Sequence, residues 1–72
     1  MNFIKLTQLS LTLQGTIRQN IVCVNSHHIK DFDLVESDNF NMYLTRIHWA
    51  LGGFNPTYVK ETPEEILNLL NK

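Results

Sequence analysis

The sequence predicts a β-rich α+β fold: a small antiparallel sheet of four to five short strands, partly open and barrel-like, with one C-terminal helix packed on it. Three observations lead there. Short apolar segments rich in β-branched and aromatic residues recur along the chain, each closed by a polar or glycine-containing break. A helix-start signature, Thr62-Pro63-Glu64-Glu65, stands near the C-terminus. The chain is 72 residues long, with no linker, repeat or low-complexity tract, so residues 1–72 make one domain.

The first element is expected over residues 3–13. Ile4 and Leu6 share one face, whereas Leu9, Leu11 and Leu13 take the opposite parity. A β-bulge between Leu6 and Leu9 produces such a switch; alternatively the strand ends near Gln8 and a second begins. Gln14 and Gly15 form a turn. Residues 20–25 read as a strand buried on both faces, because Ile21, Val22 and Val24 crowd a short apolar run. Cys23 lies in that run and is the only cysteine, so it is expected to be a buried hydrophobe in a reducing compartment.

Asn25 and Ser26 can cap one helical turn over residues 27–30. Ile29, Phe32, Leu34 and Val35 then return to the core in a strand over 31–36, with Asp31 and Asp33 on its wet face. Ser37, Asp38 and Asn39 mark a turn. Residues 40–51 fit two periods. Phe40, Tyr43, Leu44, Ile47 and Leu51 suit a helix face, whereas Tyr43, Thr45, Ile47, Trp49 and Leu51 suit strand alternation. Aromatic and β-branched content, and a Gly52-Gly53 hairpin signal leading to a strand over 57–60, favour the strand.

The terminal helix has the most complete local grammar. Thr62 is the N-cap, Pro63 sits where its missing N–H costs nothing, and Glu65 completes a capping box. Ile66, Leu67, Leu69 and Leu70 form its apolar stripe, while Glu64, Asn68 and Asn71 face water. About ten residues of helix are unstable alone, so it must dock on the sheet.

Composition restricts function. The formal charge is −1, which disfavours affinity built on phosphate neutralisation. Lys5, Arg18 and Lys30 give the first thirty residues +3; Asp31, Asp33, Glu36 and Asp38 then contribute −4. Solvated surface is the ordinary use of such a run, and an acidic face for a basic partner the sharper one. No stretch approaches the roughly 20 apolar residues of a membrane span, and Met1–Lys5 lacks signal-peptide character, so a cytoplasmic location is expected.

No cofactor, metal or catalytic residue is expected. His27 and His28 are adjacent and diverge on strand or helix, and His48 is distant from both. There is no nucleophile elbow and no phosphate loop, and Asp31 and Asp33 share the exposed side of one segment. Enzyme is the class least supported. Tyr43, Arg46, His48 and Trp49 are the candidate partner-binding residues. They suit a protein partner, or alternatively a small RNA- or DNA-binding regulator using aromatics and cations on one strand. Open strand edges on so thin a domain also predict a homo-oligomer.

Three segments carry a family resemblance. Phe3-Ile4-Lys5-Leu6-Thr7, then Val24-Asn25-Ser26-His27-His28-Ile29, then Tyr58-Val59-Lys60-Glu61-Thr62-Pro63-Glu64-Glu65-Ile66 occur in that order. Together they resemble small bacterial and phage-borne proteins related to the FlbD-like flagellar accessory family. The resemblance implies a first strand, a second ending in Val-Asn before a turn with a buried Ile, a hairpin over 40–51 and the terminal helix. It brings no catalytic residues. It implies a small accessory or regulatory protein, and its phage-borne members imply a host protein complex as partner. Ser10–Asn20 is longer than the family's first turn, and Gly52–Pro56 enlarges the later hairpin, so a flagellar role is not carried over.

Overall fold

The computed structural model describes residues 3–50, 52 and 55–71. Five strands and one helix follow in order: β1 (Phe3–Leu11), β2 (Ile17–Asn25), a 3-10 turn (Ser26–His28), β3 (Ile29–Ser37), β4 (Met42–Trp49), β5 (Thr57–Val59) and α1 (Pro63–Leu70). All pairings are antiparallel, and the order across the open sheet is β2-β1-β5-β4-β3. The β-rich α+β fold read from the sequence is therefore the one observed, and the ambiguous 40–51 segment contains a strand.

Local chemistry makes the turns. Gly15 takes φ +83° between β1 and β2, where Thr12 N–H donates to Thr16 O at 2.9 Å. Asn41, with φ 56°, ends the β3–β4 turn; asparagine tolerates that left-handed conformation better than most residues. Asn25 caps the 3-10 turn by accepting the His27 N–H at 3.0 Å. The Gly52-Gly53 hairpin signal falls partly outside the described residues.

β2 and β3 are consecutive in the chain yet occupy opposite edges of the sheet. A flat five-stranded sheet would hold its outer strands about 19 Å apart. One 3-10 turn, rising about 2 Å per residue, does not reach that far. The sheet is therefore curled, and Ala50 N–H donates to His28 O at 2.8 Å close to the junction. The seam between the two hairpins is narrow: β1 meets β5 in register only at Gln8 and Val59.

Ile4, Leu6, Ile47, Val59 and Ile66 form the buried core. Val22, Val24, Ile29, Phe32, Trp49, Leu69 and Leu70 pack around it. The helix joins that core as expected, with both halves of its capping box formed. Leu67 is a correction to the predicted stripe: it is 50% exposed, since Ile66, Leu69 and Leu70 already fill the docked face.

Three further expectations are overturned. The β1–β2 register runs unbroken from Phe3 to Leu11, so no bulge separates Leu6 from Leu9. Leu9 is instead buried on the opposite face, as is Leu44 on β4. β2 is not buried on both faces; it is an edge strand, and Ile21 and Cys23 are exposed. β3 begins earlier than predicted, carries a register shift between Ile29 and Asp31, and leaves Leu34 exposed.

Candidate functional site

The β3–β4 hairpin carries the residues singled out in the sequence, and its register sorts them. Asp33 stands opposite Arg46, and Asp31 opposite His48. Even-numbered residues of β4 share that face, whereas Tyr43, Thr45, Ile47 and Trp49 point to the other, helix-covered side. The four candidates therefore split into two pairs on opposite faces.

Arg46 and His48 are brought together with two carboxylates. The Arg46 guanidinium makes a forked contact with Asp33, Nη2 to Oδ2 at 2.8 Å and Nε to Oδ1 at 3.3 Å. His48 Nε2 lies 3.7 Å from Asp33 Oδ1 and 4.0 Å from Asp31 Oδ1. The Arg46 hydrogen bond holds the Asp33 carboxyl below the ordinary carboxylate value. Tyr58, opposite Arg46 on β5, completes this face, and the Phe40 ring stands 6.3 Å from it.

Trp49 and Tyr43 have different fates on the other face. Trp49 is half-buried, packs on the core and donates its indole N–H to Thr57 Oγ1 at 3.0 Å. Tyr43 is 63% exposed, opposite Glu36. Its diagonal neighbour across the hairpin is Leu34, itself 55% exposed, and diagonal pairs of this kind lie within reach of an aromatic side chain. Leu34 was assigned to the core from sequence and so escaped notice as a surface residue.

Asp31 and Asp33 are exposed; Asp33 faces Arg46, and His48 stands near both. Among the described residues, no group of three or more His, Cys, Asp or Glu side chains is placed to hold a metal ion. The open depression lined by Lys5, Glu61, Glu65, Asn68 and Leu69 contains two carboxylates, that of Glu61, engaged by Thr7, and that of Glu65, engaged by the Thr62 N–H. No described helix is long and apolar enough to cross a membrane.

The Asp–Arg pairing went unnoticed in the sequence, although a signal existed. A hairpin centred between Asn39 and Phe40 sets residue 33 against 46 and 31 against 48, so the Asp-x-Asp and Arg-x-His spacings meet.

Comparison with protein-family models, curated proteins and solved structures returns no match.

Proposed function

We propose that this protein is a small non-enzymatic protein–protein interaction module, an accessory or regulatory protein that docks on a protein complex. The observation that carries the reading is the exposed Tyr43–Leu34 pair on a paired, two-stranded hairpin. A tyrosine ring beside an aliphatic side chain supplies contact area at little entropic cost, and tyrosine is enriched among residues that dominate binding energy. Glu36 opposite Tyr43, and Arg46 paired with Asp33 beside His48 on the reverse face, give the hairpin a polar surround. The FlbD-like resemblance supports an accessory role, and its phage-borne members support a host complex as the partner.

The nucleic-acid alternative draws on the same strand but loses its cations. Arg46 is forked onto Asp33, and His48 faces two carboxylates, so neither is free to meet a phosphate without first giving up a partner. The net charge of −1 weighs in the same direction.

The test uses a photo-crosslinking amino acid at position 43, with position 68 on the exposed side of α1 as control. A discrete protein adduct at 43, absent at 68 and competed by the unlabelled wild-type chain but not by Tyr43→Ala, is expected. Salt-dependent oligonucleotide retention that disappears in Arg46→Gln, without a position-43 adduct, overturns the reading in favour of the nucleic-acid one.

A further inference from the structure

We infer that β2 is an intermolecular edge, pairing antiparallel with β2 of a second copy about a two-fold axis at Ile21. This deepens the interaction-module reading, on which it rests for the kind of partner, by naming one partner and its register.

The two edges of the sheet differ in how they are protected. Edge strands are ordinarily blunted by charge, proline or a bulge. β3 has such protection: Lys30, Asp31, Asp33 and Glu36 lie along it, and its register shifts between Ile29 and Asp31. β2 has almost none. It runs nine residues, Ile-Arg-Gln-Asn-Ile-Val-Cys-Val-Asn, with one charge, no proline or glycine, and unbroken register against β1. Ile21 at its centre is 76% exposed.

Hydrogen-bond phase shows what this edge offers. Thr12 N–H donates to Thr16 O, so even-numbered residues of the β1–β2 ladder bond to each other. Odd-numbered residues point their backbone groups outward. β1 shows the same phase on its far side, where Thr7 sends its carbonyl to Lys60 N–H and its own N–H to Glu61. On β2 the outward-facing residues are Ile17, Gln19, Ile21, Cys23 and Asn25, and among the described residues no strand lies beyond them.

That set is self-complementary. Centring an antiparallel pair on Ile21 sets Ile21 against Ile21 of the second copy, Gln19 against Cys23, and Ile17 against Asn25, with all nine residues of the strand in use. Each outward N–H meets an outward carbonyl, the isologous arrangement a two-fold dimer requires. The one charge does not oppose this: the two Arg18 side chains stand six residues apart along the ladder, about 20 Å, beyond the screening length of about 8 Å at physiological salt.

Sedimentation of the full chain across a concentration series tests the state, and expects a mass that doubles. Ile21→Lys puts like charges against each other on the axis, and should weaken the dimer by at least about tenfold. A cysteine at position 21, made as Ile21→Cys with Cys23→Ser, tests the register without depending on that variant. The bonded pair brings its Cα atoms to about 5.5 Å, within disulfide reach, so this variant should cross-link on oxidation while Ile17→Cys with Cys23→Ser should not. A wild-type chain of monomer mass throughout, a folded Ile21→Lys variant that still dimerises at full strength, or equal cross-linking at 17 and 21 overturns the proposal. None of these outcomes touches the position-43 adduct that tests the docking surface.

Discussion

Thr7 gives both its backbone N–H and its hydroxyl to one carboxylate, that of Glu61, at 2.8 and 2.9 Å. Glu61 lies two residues beyond the end of β5, and its own carbonyl accepts the buried Thr45 hydroxyl from β4. One residue thus ties β1 to β4 and β5 at the seam where the β1–β5 register is a single pair. Glu61→Ala removes the acceptor for a backbone donor and a hydroxyl in a half-buried place, and is expected to cost about 1–3 kcal/mol. Glu61→Gln keeps an oxygen for the Thr7 N–H and an amide to donate to the Thr7 hydroxyl, and should cost clearly less. Urea unfolding midpoints of the three proteins separate these outcomes.

Ile66 and Leu67 are neighbours on α1 with opposite consequences. Ile66 is fully buried among Ile4, Leu6, Ile47 and Val59, so Ile66→Ala should cost about 2–5 kcal/mol. A 72-residue domain is typically stable by only about 4–11 kcal/mol, so its thermal midpoint should fall by about 10 °C or more. Leu67→Ala, at an exposed position, should stay within about 0.5 kcal/mol. Thermal melts of the two variants suffice, and equal losses would place Leu67 inside the core.

What was legible in the sequence was what local chemistry decides. The Thr62–Glu65 capping box needs only four consecutive residues, and both of its hydrogen bonds form as read. Asn25 likewise caps the 3-10 turn through a partner two residues away. β2 was misread because the apolarity of Ile21, Val22, Cys23 and Val24 does not reveal which strands flank it. Burial belongs to the sheet order, and that order places β2 at an edge. Leu9 shows the same gap from the other side: its parity is legible, but it is buried on the face opposite Ile4 and Leu6 with no bulge between them. The candidate strand was found, yet its partition into a cation pair, a core-packed Trp49 and an exposed Tyr43 depends on pairing with β3.

Thr62 caps α1 by accepting the Glu65 N–H at 3.2 Å, while the Glu65 carboxylate accepts the Thr62 N–H at 3.1 Å. Thr62→Ala should cost about 1 kcal/mol, and Thr62→Ser should recover most of it. Because α1 is short and supplies Ile66 to the core, fraying at its first turn should propagate to global stability. The measurement is amide hydrogen exchange at Ile66, which should quicken in Thr62→Ala and return toward wild type in Thr62→Ser.

Asp33 and Arg46 set the sign of an acid-side effect. The hydrogen bond from Arg46 lowers the Asp33 pKa; desolvation opposes it, and the Arg46 and His48 charges add to the lowering. A carboxyl whose folded pKa is depressed stabilises the fold fully above its unfolded value, and that contribution is lost as pH falls through the folded one. Both side chains are substantially exposed, so the contribution should be small and should shrink in high salt. Arg46→Gln should raise the Asp33 midpoint toward the ordinary carboxylate value and flatten the corresponding pH dependence of the unfolding midpoint. Carboxyl-carbon NMR titration of Asp33 in both proteins reads this directly. A midpoint unmoved by the substitution means that the forked pair does not persist in solution, and Arg46 is then free to meet a phosphate after all.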